Sequence, residues 1–403
     1  MVFPKGGIMQ KTRINEEVIK MRFDDVYGRY KGKQIRTDEA AELLGISVRT
    51  FYRKRERFEG EGFNGRFDYR LGKPAVNRAE DSEVQKMTRL YEERYRGFNV
   101  KHFHEYAQRE HGLTYGYTWT KNNLEKSGLI RKSKRGGDHR LRRERRVMEG
   151  MMLHQDGSTH RWIPALDYHL DLIITMDDAT SKITSGFLVP QEGTDSSFQG
   201  VKETIEKHGL FCSLYTDRGS HYWITPEGGG KVDKHHLTQV GRGLKQLGIQ
   251  HIAAYSPQAR GRSERMFLTL QDRLPKEFEL NGITTMEAAN EYLKKVYLPR
   301  HNQQFCVKAK DEKSAYIPWI GGDLNEILCH QEERIVQNDN TVSYEGVRLQ
   351  IPKDDGRYHY VRTTVQVRRY IGGDLGLFFG NRCLGYYDAQ GHLKNEKMEL
   401  KAA

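Results

Sequence analysis

The stretch LYTDRGSHYW, residues 214–223, joins a short apolar run directly to an acid, an arginine and a glycine. Apolar residues that stop at an aspartate followed closely by glycine are typical of a buried strand that ends in a turn. Asp217 would then present its carboxylate at the tip of that strand. One such aspartate is weak evidence of a reactive site, so its meaning depends on the partners that the fold supplies.

The composition indicates a partner that carries many negative charges. The chain has 403 residues and a formal net charge of +12, and at about 100–200 residues per domain it should form two to four domains. The positive excess favours nucleic acid first and an anionic membrane surface second. No run approaches the roughly 18 apolar residues of a spanning helix, and the first twenty residues do not resemble a secretion signal, which predicts a cytoplasmic protein. The four widely separated cysteines argue against a disulfide framework or a zinc site.

A helix-turn-helix motif is predicted in RTDEAAELLGISVRTFYRKRERF, residues 36–58, within a DNA-binding domain at 14–65. Gly45 allows the turn between two short helices, and Ser47 can cap the second of them. The second helix of this motif enters the major groove. The side chains predicted to contact DNA there are Ser47, Arg49, Thr50, Arg53 and Lys54. The alternative is an ordinary helical hairpin with a solvated basic face.

Two basic linkers flank a second helical region. Residues 66–80 contain Gly, Pro and basic residues without a period, and residues 81–130 show helical spacing. The helical region is either a second DNA-binding unit or a plain bundle. The linker at 131–147 contains RKSKRGGDHRLRRERR, and we expect it to follow the phosphate backbone, with Arg142 and Arg143 among its contacts.

Residues 148–282 are predicted to form an α/β domain. Their order is three strands, a helix, a strand, a helix, a strand and a long helix, which favours a mixed sheet. A helical connector is expected at 283–328. Alternating residues and turn signals at 329–395 predict a small β-barrel. The chain is therefore expected to be multidomain, with an all-α N-terminal region, an α/β core and a C-terminal barrel.

Three acids of the predicted α/β domain are expected to converge. Asp156 lies on the first strand and Asp217 ends the fourth, which should be its neighbour in the sheet. Glu264 lies on the long helix, three residues before the first member of an apolar stripe, and is expected to face the sheet.

The convergence of these acids would require cations. Carboxylates brought together repel one another unless a cation neutralises them, and oxygen ligands suit Mg²⁺ or Mn²⁺. Two such ions can stabilise the attacking and leaving oxygens of an in-line phosphoryl displacement. The three acids are thus predicted as catalytic residues and ligands of two ions, and Arg218, Arg260 and Arg262 as contacts to the DNA backbone.

Other polar side chains near these acids have plainer explanations. Asp177 and Asp178 fall in a turn, where aspartate commonly bonds its own backbone. His154 is expected to be packed or solvated. His221 and Tyr222 follow Asp217 closely, and either line the groove or pack in the core. The GxSxG elbow of a serine hydrolase is absent from the sequence.

The same residues carry a resemblance to a known family. Asp156, Asp217 and Glu264 resemble the DDE triad of transposases with a retroviral-integrase-type catalytic core. The block GIQHIAAYSPQARGRSERMFLTLQDRLPKEFEL, residues 248–280, is similar to bacterial insertion-sequence transposases, most closely the ISNCY group. The resemblance covers roughly residues 36–350. It implies an RNase H-like core, a divalent metal, and action as a homo-oligomer on paired transposon ends.

The chain departs from retroviral integrases in two ways, but the resemblance still implies a definite function. The interval between Asp217 and Glu264 is longer than in retroviral integrases because it contains a glycine-rich loop, and no zinc-binding His/Cys module is present. The implied function is a transposase that cuts double-stranded DNA at terminal inverted repeats and joins the 3′-OH to target DNA. The alternatives are a non-catalytic DNA-binding regulator derived from a transposase, and a nuclease that cuts without joining.

Overall fold

The computed structural model describes residues 7–62, 65, 79–131, 144–226, 230–255, 257–353 and 357–394, with only the helical backbone at 7–17 and 257–260. The chain divides into two compact units, residues 1–86 and 87–403. Each has its own apolar clusters.

The first unit contains the two short helices that the sequence predicted. A long helix α1 (Gly7–Lys31) precedes α2 (Thr37–Leu44) and α3 (Val48–Glu61). Gly45 ends α2 in the left-handed region, at φ +66°, where a side chain would be strained. The Ser47 hydroxyl caps α3 by accepting a hydrogen bond from the Thr50 backbone N–H at 3.2 Å.

The core of this unit leaves a basic face open. Phe51 of α3 is fully buried and packs against aromatic residues of α1. Arg49 and Arg53 on the same helix are exposed. The helix therefore has one buried apolar face and one accessible cationic face, as an amphipathic helix requires.

The second helical region has an aromatic core. It consists of α4 (Asp81–Arg94), α5 (Val100–His111) and α6 (Tyr117–Lys126). Tyr95 and Phe103 are fully buried at its centre. Asn99 caps α5 by accepting from the His102 backbone N–H.

A five-stranded mixed sheet lies at the centre of the second unit. In chain order its elements are β1 (Leu153–His160), β2 (Leu170–Asp177), β3 (Ile183–Val189), α7 (Thr194–His208), β4 (Ser213–Thr216), α8 (Gln239–Gln246), β5 (Gln250–Ala253) and α9 (Pro257–Leu280). The strand order is β3-β2-β1-β4-β5. The first three strands pair antiparallel, and β4 pairs parallel with β1 and with β5. The predicted element order, and the predicted pairing of the first with the fourth strand, are confirmed.

Helices cover both faces of this sheet. On one face, the Gln155 side-chain amide donates to the Ser197 backbone carbonyl of α7 at 3.1 Å. On the other face, α9 buries Phe267, Leu270 and Leu274 against β2 and β3. Successive side chains of a strand point to opposite faces, so Asp156 lies on the face that α9 covers.

The predicted connector is helical only in its first half. Helix α10 (Met286–Tyr292) continues through a π-helical turn (Leu293–Tyr297) into α11 (Leu298–Phe305). The following residues include Pro318 and two glycines, and form isolated bridges from Ser314 to Glu149 and from Ile317 to Leu210. The chain returns to helical geometry only in a short 3₁₀ turn (Leu324–Glu326).

The C-terminal region is an open sheet with a hairpin packed on it. The strands are β6 (His330–Ile335), β7 (Thr341–Tyr344), β8 (Val347–Gln350), β9 (Thr364–Arg369), β10 (Leu375–Phe379), β11 (Arg382–Tyr387) and β12 (Leu393–Lys394). Among the described residues, five form an antiparallel sheet in the order β12-β11-β10-β9-β6, and β7 pairs with β8 alone. Both pieces share one apolar cluster. Alternation predicted these strands correctly, but no ladder among the described residues closes them into the expected barrel.

Two further features bear on the sequence predictions. All four cysteines are free thiols. Among the helices that the structure describes, none is both long enough and apolar enough to cross a membrane.

Candidate active site

The strand register sets Asp156 beside Asp217. Strands β1 and β4 run parallel, with Leu153 opposite Leu214 and His154 opposite Tyr215. The same offset places position 217, one residue beyond the end of β4, opposite Asp156. Adjacent strands lie about 4.8 Å apart, so these two acids, distant in sequence, are neighbours at one edge of the site.

The buried Tyr222 hydroxyl lies close enough to both acids for their charges to affect its pKa. Burial raises the pKa of the Tyr222 hydroxyl well above its usual range, and the negative charges of Glu192, Asp156 and Asp217 raise it further. Tyr222 is only 1% exposed and donates to the Gln155 side-chain oxygen at 3.1 Å. Tyr222 is therefore a core residue close to the acids.

The two aspartates have different surroundings. Asp156 is buried, with 7% of its surface exposed, whereas Asp217 is partly exposed. The Asp217 Oδ1 atom accepts a hydrogen bond from the Gly219 backbone N–H at 2.8 Å. The turn after β4 thereby fixes the direction of that carboxylate and leaves it open to solvent.

Glu264 lies beside the buried stripe of α9 and not within it. Its side chain is exposed, whereas Ser263, Met266 and Phe267 are buried. Glu264 therefore lies beside the stripe, as expected, but its side chain is not buried against the sheet. Because successive residues are 100° apart around a helix, Glu264 lies at the edge of the stripe. A few apolar positions in the sequence locate the centre of a buried stripe more accurately than its edges.

A hydrogen bond shows which part of the sheet this edge of α9 follows. The Gln271 side-chain amide donates to the Ser158 hydroxyl at 3.0 Å. Glu264 lies two turns before Gln271 on the same side of the helix, and Asp156 lies two residues before Ser158 on the same face of β1. The edge that carries Glu264 therefore runs along the part of β1 that carries Asp156.

These acids supply some of the donors of a divalent-cation site. Asp156 and Asp217 offer adjacent carboxylates, the oxygen donors that Mg²⁺ and Mn²⁺ prefer. Within the described ranges, no three His, Cys, Asp or Glu side chains lie close enough together to hold a metal ion. The pair fits two ligand positions, and Glu264 stands at the neighbouring helix edge without completing the set.

A fourth acid approaches the site from the other face of β1. A Cβ atom on Gly157 would overlap the Glu192 carboxylate, so the bare glycine makes room for it. Glu192 also lies 3.5 Å from the His221 Nε2 atom. Glu192 was not predicted from the sequence, although a glycine inside a strand is a signal of close approach by another group.

Gly157→Ala is expected to lower the free energy of unfolding by about 1–3 kcal/mol because its methyl group displaces the Glu192 carboxylate. Thermal unfolding followed by circular dichroism measures the loss. Adding Glu192→Ser should restore the lost stability. Gly193→Ala is the matched control, since its added methyl meets no atom within 4 Å. A double variant as unstable as Gly157→Ala alone would contradict this contact.

Comparison with known proteins gives this arrangement a family context. No protein-family model matches the chain. The chain is 29% identical over 351 residues to y4bF of Sinorhizobium fredii, which is named a transposase, and the match covers 86% of this chain and 76% of the relative. It is 31% identical over 237 residues to the transposase for insertion sequence IS1202 of Streptococcus pneumoniae, covering 58% of this chain and 50% of the relative. This chain is homologous to bacterial insertion-sequence transposases.

Solved structures give weaker matches to this chain. A simian T-cell lymphotropic virus intasome in complex with a PP2A regulatory subunit matches with 14% identity and a TM-score of 0.34, over 78% of this chain and 99% of that one. The HTLV-2 integrase catalytic core domain in complex with magnesium matches with 15% identity and a TM-score of 0.26, over 37% and 90%. Because these TM-scores are low, the informative comparison is the one with the two relatives found by sequence.

The side chains predicted to contact DNA differ in the partners that they have within the chain. The Arg218 guanidinium donates to the Gly230 carbonyl at 2.8 Å and lies over the Tyr255 ring. Lys54 lies over the Phe23 ring, and the Ser47 and Thr50 hydroxyls bond each other at 2.8 Å. Arg142 and Arg143 lie outside the described residues, as does the side chain of Arg260.

The adjacent aspartates at the end of β2 have separate roles. Asp177 behaves as the sequence predicted, because its Oδ1 atom accepts from the Thr180 backbone N–H and hydroxyl within the turn. Asp178 does not. Its carboxylate accepts from the Arg146 backbone N–H at 2.7 Å and from His154 Nε2 at 2.8 Å, and it is paired with Arg262.

The charge state of Asp178 follows from these partners. Burial alone would raise the pKa of its carboxyl, but the hydrogen bonds from His154 and Arg146 and the positive charge of Arg262 outweigh burial and hold the pKa well below its usual range. Asp178 is therefore ionised wherever the protein is folded near neutral pH. Asp178 also pairs with Arg262, which was predicted from the sequence to contact the DNA backbone.

Proposed function

We propose that this chain is a DNA transposase that cuts at the ends of its element and joins the freed 3′-OH to target DNA. The observation that carries the proposal is the register that brings Asp156 beside Asp217, in a chain whose homology to transposases extends over 86% of its length. Two adjacent carboxylates at the end of parallel strands suit phosphoryl transfer, in which the protein mainly positions groups and balances charge.

The chemistry consists of two displacements at phosphorus. In the first, a water oxygen forms a bond to phosphorus while the bond to the 3′-oxygen breaks, and that oxygen leaves as a hydroxyl group. In the second, this hydroxyl attacks a target phosphodiester and the target 3′-oxygen leaves. One P–O bond forms and one breaks in each step, so no external energy source is needed.

The side chains of the site would divide this work. Asp217, oriented by the Gly219 N–H, and the buried Asp156 would bind Mg²⁺ or Mn²⁺ together with Glu264 from α9. Bound there, the cation would supply Lewis-acid stabilisation of the pentacoordinate phosphorus. Because the sheet and its turn hold both aspartates before substrate arrives, little reorganisation is required at the moment of reaction.

The remaining regions would hold DNA. Arg49 and Arg53 of α3, which are exposed, would meet a groove or a phosphate backbone. The basic linker at 131–147 would add contacts that do not depend on sequence but weaken as salt is raised. We propose that terminal inverted repeats and target DNA are the substrates, and that a homo-oligomer pairs the two ends.

The test is a joining reaction with the full chain. A labelled duplex carrying the inverted repeats that flank the coding region is mixed with supercoiled plasmid and Mg²⁺. The proposal expects labelled plasmid that disappears when EDTA is added. Duplex binding without any metal-dependent product would favour a non-catalytic regulator, and cutting without joining would favour a nuclease.

A further inference from the structure

One buried carboxylate links three parts of the chain around the site. Asp178 is fully buried immediately after β2. Its Oδ2 atom accepts from the Arg146 backbone, and its Oδ1 atom accepts from His154 and from the Arg262 guanidinium. The donors belong to the segment before β1, to β1 itself, and to the first turns of α9.

Each donor lies close in sequence to a functional element. His154 precedes Asp156 by two residues on the same face of β1. Arg262 precedes Glu264 by two residues on α9. Arg146 lies at the end of the basic linker, where Arg145 also donates to the backbone carbonyls of Asp178 and Ala179 at 3.0 and 3.2 Å.

We propose that Asp178 is a positioning residue that sets the distance between Glu264 and the two aspartates and anchors the basic linker at the same point. The inference rests on the proposed function, because it concerns how that site is assembled. Asp178 touches no substrate. It acts through Arg262, which fixes the start of α9, and through His154, which fixes the start of β1.

Physical reasons make this carboxylate suited to the task. Hydrogen bonds between ionised partners are about twice as strong as neutral ones, and a guanidinium held by a buried carboxylate has little freedom to move. The beginning of α9 needs such a restraint because Glu264 is exposed, so burial does not hold its side chain in place. A displacement of about 1 Å in a catalytic group can cost a hundredfold in rate.

Asp177→Asn provides a matched control for Asp178→Asn. Asp177 is also fully buried and belongs to the same turn, but its carboxylate accepts from the backbone N–H groups of Gly150 and Thr180 and from the Thr180 hydroxyl. Both changes remove one buried charge, and both are expected to lower the melting temperature. Only Asp178→Asn releases the side chains of β1 and α9.

The experiment measures metal affinity and joining separately. Mn²⁺ is titrated calorimetrically onto metal-free full-length protein, at a temperature where all variants are folded. We expect Asp178→Asn to bind Mn²⁺ at least tenfold more weakly than wild type, and Asp177→Asn to stay within threefold. In the joining reaction with saturating duplex, Asp178→Asn should lose about a hundredfold in rate and need more Mn²⁺ for its half-maximal rate.

A second comparison tests the route through Arg262. If Asp178 acts through this arginine, the double variant Asp178→Asn with Arg262→Gln should be no slower than the slower single variant, since residues that work as a unit are not additive. Mn²⁺ affinity that is equal in Asp178→Asn and Asp177→Asn overturns the positioning role, whatever the activity. Wild-type protein that binds Mn²⁺ but makes no joined product contradicts the proposed function instead.

Discussion

Asp217→Asn is expected to remove cutting and joining together, with a loss of roughly a thousandfold or more, while binding of duplex DNA is unchanged. A loss of that size corresponds to about 4 kcal/mol of barrier. Asparagine is nearly the same size and keeps the side-chain oxygen that accepts from the Gly219 N–H, so the turn after β4 should survive. What it removes is the negative charge beside Asp156, and with it the attraction for a divalent cation.

The measurement is the joining reaction with Mg²⁺, accompanied by a gel-shift titration of the same duplex. Asp233→Asn is the control, because Asp233 belongs to the same β4–β5 connection but its carboxylate accepts from the nearby His235 and His236. It should react at the wild-type rate. Asp156→Asn should fail like Asp217→Asn, and the double variant should be no worse. An Asp217→Asn protein that retains more than a tenth of the wild-type rate would remove the basis of the proposed site.

The pairing of Asp156 with Asp217 could be predicted because it depends on topology. Apolar runs, turn residues and helical periods gave the order of elements, and in a mixed sheet that order makes the first and fourth strands neighbours. Once two strands pair in parallel, the register follows from where each apolar run ends. The direction of Glu264 could not be predicted equally well, because a side chain 100° away from a buried one lies at a boundary that only packing decides.

The partners of the buried charges were not predictable from local sequence. The composition of the turn is enough to explain an aspartate at position 178. No residue near Asp178 in the sequence indicates that Arg262 will reach it from another element. Glu192 had a signal in Gly157, but a glycine does not say which group approaches. The C-terminal strands show the same limit. Alternation predicts strands, whereas closure into a barrel depends on whether the two edge strands, β6 and β12, pair with each other.

A buried carboxylate on α9, also missed from sequence, connects this helix to the second helical region. Glu277 is 3% exposed. It accepts hydrogen bonds from His102 at 2.8 Å, from Tyr292 at 2.5 Å and from the Tyr106 hydroxyl. Burial alone would raise the pKa of Glu277, but these donors outweigh it and lower the pKa to about 2. Burial lowers the pKa of His102, and its Nε2 atom lies 2.8 Å from the Glu277 carboxylate.

Glu277→Leu is expected to destabilise the protein by about 3–5 kcal/mol, because three buried donors lose their acceptor. The melting temperature measured by circular dichroism at pH 7 should fall by about 4–8 °C. Since the folded pKa of Glu277, about 2, lies below its ordinary value of 4.5, its contribution is fully present above pH 4.5 and is lost as the pH falls towards 2. The gap in melting temperature between wild type and variant should thus be constant from about pH 7 to pH 5 and shrink below it. Glu279→Leu, which changes an exposed acid two residues away, should show neither effect, and a pH-independent gap for Glu277→Leu would mean that its loss reflects leucine packing and not the missing charge.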